Sequence, residues 1–385
     1  MANKFGELDR EHERQEQASK PAPAFKDQVR TLGGDWFQVP PKTREWLATF
    51  QDEVEGNEDE KKRRVHGLIA RGELHILAGE GGAGKGRFAL QLALCLAGAP
   101  NGKPFSSRLA LNAHPLGKGE KILFLVGEDD AHELHARTFG AAKVEGFNPE
   151  HMRTAPSRVL WRSFRGDPWR LVAQSKDNGV EATADFRDLR AYLEENGPWA
   201  MIVIDPLSRF LPIEENDNPA MHQAAAEIEN LCKVPGNPAV VVVAHTRKPA
   251  DKGGRVMDLS QHDVRGASAV VNAARLVIML APGAEYVTVN GKGEVVETEA
   301  ANARTIREHS VRVAIVKDNV GAKGRPFTLN FHLDGGLRAE TESERTERRK
   351  KQWGHGLPPK PVKAKPESKA KGGAPTSDDD GGFQS

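Results

Sequence analysis

Cysteine is nearly missing from this chain: 385 residues contain two, Cys95 and Cys232. They lie far apart in apolar patterns, which excludes a disulfide framework and suits packing in a reducing compartment. An excess of either charge is missing too, with 55 basic against 54 acidic residues. No global field therefore drives the chain to nucleic acid, and any polyanion site must be local. Long apolar runs are absent, and the first twenty residues are thick with charge. Both observations argue against a membrane span or a secretory signal and lead to the expectation of a cytoplasmic protein without membrane contact. The length suffices for one large α/β domain with appendages.

What the chain does have is the stretch Glu73 to Ala97, ELHILAGEGGAGKGRFALQLALCLA. Its short apolar start predicts a buried strand, and the apolar run Phe88 to Ala97, closed by Gly98, predicts a buried helix. Between them stands Gly79-Glu80-Gly81-Gly82-Ala83-Gly84-Lys85-Gly86, followed by Arg87. A phosphate-binding loop needs glycines so that backbone N–H groups can turn toward an anion, a lysine for the outer phosphates, and a helix N-terminus behind them. Gly79, Gly84 and Lys85 fit. The pattern then asks for Ser or Thr as a magnesium ligand, and this chain has Gly86. Glycines also serve tight strand-to-helix turns without a ligand. If the missing hydroxyl limits turnover, Gly86→Ser is expected to raise it.

Further apolar strands end in polar residues. Lys121 to Gly127 runs into Glu128-Asp129-Asp130, beyond a strand end where parallel sheets bind ligands. Asp129 or Asp130 also suits the N-cap of the following helix. Ala200 to Asp205 has the form of a strand carrying an Asp toward a magnesium-bound water, although such an Asp also serves caps and turns. Ala239 to Ala244 ends at His245, placed to sense a terminal phosphate or simply to hydrogen-bond in a loop. Strands are also expected near 159–164, 274–280, 311–317 and 327–333, helices near 186–196 and 218–231, and a hairpin around Asn290-Gly291.

Residues 1–31 read as a disordered arm and 32–64 as a lead-in with a charged linker. The main α/β domain spans 65–338, with 339–385 a disordered tail. That tail concentrates ten basic residues against two acids between Arg345 and Lys371. The loop Thr246 to Asp263, with Arg247, Lys248, Lys252 and Arg255, is long for a compact domain; it suits either a nucleic-acid backbone or a solvated hairpin.

In this order, and with IVIDPLSRF at 202–210, VRGAS at 264–268 and VKDNVGAKG at 316–324, the chain resembles the RecA-like P-loop ATPase core. It is most similar to RepA-type hexameric replicative helicases of plasmids and phages, relatives of the DnaB helicases. The resemblance covers about residues 65–338. It implies a mostly parallel twisted sheet with helices on both faces and extra antiparallel strands toward the C-terminus. It further implies that ATP and Mg2+ bind at the loop, with Gly79, Gly81, Gly82, Gly86 and Arg87 lining it and Gly84 and Lys85 at the β- and γ-phosphates. Glu128 would polarise water, Asp205 would hold magnesium, and His245 would report the γ-phosphate to the loop carrying Arg247, Lys248, Lys252 and Arg255. Arg265 and Lys317 would reach a neighbouring subunit's site. Expected partners are single-stranded DNA, further copies in a ring, expected to be a hexamer, and a replication initiator or primase.

Overall fold

Continuous apolar runs bury both faces of a strand, and here they build a two-sided sheet. In a computed structural model, the residues described are 44–53, 63–99, 103–148, 156–175, 179–213, 217–246, 261–264, 268–282, 310–319, 324, 326–333, 335–339 and 343. From Glu45 onward they belong to one compact unit. In chain order the strands are β1 (Trp46–Glu53), β2 (Arg63–Ala70), β3 (Leu74–Gly79), β4 (Phe105–Ser106), β5 (Leu111–Ala113), β6 (Lys121–Val126), β7 (Val159–Ser163), β8 (Val172–Ser175), β9 (Gly179–Ala182), β10 (Trp199–Asp205), β11 (Ala239–His245), β12 (Leu276–Pro282), β13 (Ser310–Asp318), β14 (Phe327–Phe331) and β15 (Leu337–Ala339). The principal helices are α1 (Lys85–Gly98), α2 (Ala131–Glu145), α3 (Ala184–Asn196), α4 (Asn218–Asn230) and the short α5 (Ser268–Ala273).

Among the described residues the main sheet runs β15-β14-β13-β12-β3-β11-β10-β6-β7. From β12 to β7 every neighbouring pair is parallel. From β12 to β15 every pair is antiparallel. This is the expected α/β class, a mostly parallel sheet between helices with antiparallel strands added toward the C-terminus.

Alternation along β11 shows how the core is made. Val240, Val242 and Ala244 pack with Phe186 and Leu189 of α3 and Ala224 and Ile228 of α4. Ala239, Val241 and Val243 join the opposite cluster, with Phe88 and Leu92 of α1 and Leu134 of α2. Each such valine, leucine, isoleucine or phenylalanine contributes roughly 1.5–3 kcal/mol on leaving water. Both cysteines are buried and unpaired, and burial pushes the Cys232 thiol up to about 12. Among the described residues no helix is long and apolar enough to cross a membrane.

Two differences from the sequence expectation have a clear physical cause. The stretch 32–64, expected as lead-in and linker, contains β1 and the first residues of β2. These strands pair antiparallel and form a small sheet, β2-β1-β5-β4. Leu47, Ala48 and Phe50 face the α1 side of the core, so their burial gives this segment a reason to fold. The expected domain end at 338 falls inside β15, which runs to Ala339 and whose Leu337 is fully buried. The hairpin around Asn290-Gly291 and the tail beyond 343 lie outside the described residues.

Candidate nucleotide site

Parallel pairing brings the ends of β3, β6, β10 and β11 to one edge, so residues far apart in sequence meet there. Register sets Gly79 opposite His245 and Asp205 opposite Val126, one residue short of Gly127-Glu128. A pocket of about 570 Å3 opens at this edge. Its walls include Gly82, Gly84, Lys85, Gly86 and Arg87 from the loop and α1, then Glu128, Asp205 and His245 from the strand ends. The loop glycines have distinct reasons to be there. Gly82 and Gly84 take φ 78° and 82°, a left-handed conformation that side chains resist. Gly84 caps α1 without a side-chain hydrogen bond, and the first turn carries no acid. The first N–H groups of that helix, with its dipole, therefore face the pocket as an anion site.

Lys85 is buried, and its ammonium donates to Gly79 O at 2.9 Å and Glu80 O at 2.7 Å. Burial lowers its pKa, opposed by the nearby carboxylates of Asp205, Glu128 and Glu80. Asp205 is half-buried as a residue, but its carboxyl is desolvated. That desolvation, with Asp129 beside it, raises its pKa to about 6 against the pull of Lys85 and Arg137. Glu128 is exposed on the rim. Asp130 is the N-cap of α2: its carboxylate accepts from the His132 and Glu133 N–H groups, and Glu133 completes a capping box. The capping role read from the sequence is thus present alongside a pocket position for Glu128.

Position 86 is tighter than the sequence implies. A Cβ built on Gly86 would lie 2.6 Å from Asp205 Oδ2, so Gly86→Ser is no simple restoration of a hydroxyl. Asp205 would have to give way first.

Two parts of the pocket carry no sequence motif. Arg137, on α2, forms an ion pair with Asp129, and both line the pocket. The only sequence signal was their place beside the acidic strand end. Phe331, His332 and Leu333 form a further wall; residues 327–333 read simply as a strand, but β14 stops at Phe331 and the chain turns. Arg87 ties this wall down, donating to Gly335 O at 3.0 Å with its guanidinium 5.8 Å from the Phe331 ring centre.

Lys317 and the basic residues from 247 to 265 are not expected in this chain's own pocket. Lys317 is not on the pocket wall; its ammonium donates to the carbonyls of Val271, Asn272 and Ala274 at 2.7, 3.1 and 2.7 Å. It closes the C-terminal end of α5 within its own chain, where carbonyls lack helical partners. Arg247, Lys248, Lys252, Arg255 and Arg265 lie outside the described residues.

A buried strand-end carboxylate, a loop lysine and a helix N-terminus without a side-chain cap, all in one cleft, define a P-loop nucleotide site. The sequence agrees: residues 40–251 match the AAA domain family, and the chain belongs to that family of P-loop ATPases. A solved structure described as the RadB recombinase is similar at a TM-score of 0.41 and 14% identity, over 71% of this chain and 94% of that one.

Nucleotide use in P-loop ATPases ordinarily involves magnesium, and the residues present fit it in one way. Among the described residues no group of three or more His, Cys, Asp and Glu could hold a metal ion alone. The desolvated Asp205 carboxyl at the loop supplies a hard oxygen. That is the donor magnesium takes when phosphates and waters complete its shell.

Proposed function

We propose that the chain is an ATP-hydrolysing motor that acts on single-stranded DNA as a ring of identical subunits, a helicase or translocase of plasmid, phage or mobile-element replication. The observation that carries this reading is the meeting of Lys85, Glu128, Asp205 and His245 in one pocket behind the N-terminus of α1. Phosphoryl transfer asks for positioning and distributed charge more than covalent chemistry. In this reading the loop N–H groups and Lys85 hold the β- and γ-phosphates, Lys85 exchanging its two loop carbonyls for phosphate oxygens. Glu128, exposed at the rim, orients the attacking water. Asp205 with the phosphates would hold magnesium, which when bound neutralises charge on the β- and γ-oxygens. His245 leads directly into Thr246, which pairs with Val264, so the pocket is joined to the segment carrying Arg247, Lys248, Lys252, Arg255 and Arg265. Those basic residues and the tail are the proposed DNA contacts, and Arg265 the proposed finger for a neighbouring subunit.

The deciding experiment measures ATP turnover of the full chain with and without single-stranded DNA, together with oligomer mass. Stimulated turnover by a closed ring is expected, and Lys85→Ala should lose nucleotide binding. Nucleotide binding without turnover, DNA present or absent, would overturn the motor reading. It would favour a nucleotide-gated DNA scaffold instead, a reading supported by the missing hydroxyl at Gly86. In that case Glu128→Gln should leave ATP-dependent assembly unchanged. Filaments in place of rings in electron micrographs would favour a recombination ATPase.

A further inference from the structure

Position 86 lies in the first turn of α1, facing the end of β10, and it is where the loop departs from the P-loop pattern. A Cβ there would lie 2.6 Å from Asp205 Oδ2 and 3.4 Å from Arg137 Nη1. The first distance is shorter than a carbon and an oxygen reach without bonding. A serine carries its hydroxyl one bond beyond that Cβ. The Asp205 oxygen therefore lies in space that the hydroxyl-bearing side chain would need, one oxygen donor in place of another.

We propose that Asp205 ligates nucleotide-bound magnesium directly, in place of the P-loop hydroxyl, and that the bare Cα of Gly86 is what admits it. The inference rests on the nucleotide-site reading above. In the usual arrangement the strand-end acid reaches the metal through water, while the loop hydroxyl is the direct ligand. Here the hydroxyl is absent and an Asp205 oxygen occupies the room its side chain would need. Magnesium accepts a carboxylate oxygen as readily as a hydroxyl, since both are hard donors, and the carboxylate adds the charge that the hydroxyl lacks. Glycine at 86 and aspartate at 205 thus act as one unit, and changing either should have the same consequence.

The probe is Mn2+ in the presence of a non-hydrolysable ATP analogue, with free Mn2+ read by electron paramagnetic resonance on the full chain. Gly86→Ala fills the space without offering a ligand. It should weaken Mn2+ uptake by about tenfold or more, as should Asp205→Asn, and the double variant should be no weaker than Asp205→Asn alone. A Gly86→Ala protein that takes up Mn2+ like the unaltered chain, or losses that multiply in the double variant, overturns the proposal. A second measurement needs no change at position 86. In protein labelled with 13C at aspartate carboxylates, double resonance should show a strong Mn2+–13C coupling that Asp205→Asn removes; a coupling of water-bridged strength only overturns it. Nucleotide binding indifferent to Mn2+ but lost in Arg137→Ala would also overturn it, placing the guanidinium where the metal is proposed. Failure of the underlying reading is distinguishable, because the unaltered chain would then bind no nucleotide with or without metal.

Discussion

Asp205 illustrates how a single side chain couples the fold to the solution. Its carboxyl, raised to about 6 from an ordinary value of 3.8, is held more comfortably protonated than ionised in the nucleotide-free protein. The unfolded chain releases that proton first as pH rises. The stabilising contribution is therefore complete below about pH 4 and is lost as pH climbs through 6, with a slope of at most about 1.4 kcal/mol per pH unit. Urea unfolding of the nucleotide-free chain between pH 4 and 7 should show this decline, and Asp205→Asn should remove that part of it. Identical slopes in the two proteins would mean that Asp205 titrates as an ordinary surface acid. Arg137 and Asp129 belong to the same local balance: burial raises the Asp129 pKa, and Arg137 opposes it.

The element with the most at stake is α1, because it faces two ways. Its N-terminus presents N–H groups to the pocket, and its flank grips the C-terminal strands. Gln91, fully buried, donates to Leu337 O at 2.7 Å and accepts from Leu337 N at 2.8 Å. It also donates to Glu145 Oε1 of α2 at 2.5 Å. One turn earlier, Arg87 holds Gly335 O. The turn carrying Phe331 to Leu333 is thus anchored to the helix that follows the phosphate loop. Gln91→Ala leaves the Leu337 groups without this partner, at a cost of about 1–3 kcal/mol. Hydrogen exchange should quicken at residues 337–339 while β10 and β11 keep their protection. Unchanged exchange at 337–339 would show that β14 pairing alone holds the edge.

At the scale of the whole molecule, the six parallel strands place the site and the antiparallel extension completes one wall of it. Because β15 is part of the sheet, a chain lacking only the basic tail must end beyond it. Removal of 345–385 should leave the unfolding transition in place and flatten the dependence of DNA affinity on salt, since each lost phosphate contact lowers the slope by about one. An unchanged slope would take the tail out of the proposed DNA contact. Family membership, through residues 40–251, covers the loop, Glu128, Asp205 and His245 but ends before the C-terminal wall.

Local chemistry is what the sequence by itself determined: strands with continuous apolar runs, a loop whose glycines precede a lysine, and acids and a histidine closing the strands. Those signals are short in range, and they located the α/β class and the pocket residues Lys85, Glu128, Asp205 and His245. Tertiary structure decided what depends on approach between distant segments. It brought Arg137 and the Phe331 turn to the pocket, placed Lys317 on the carbonyls of α5, and folded 46–53 and 63–70 into a second sheet through the burial of Leu47 and Phe50. It also decided the meaning of Gly86. In sequence that residue is a lost hydroxyl; in three dimensions it is the space into which the Asp205 carboxylate fits, because only a residue without a Cβ leaves that room.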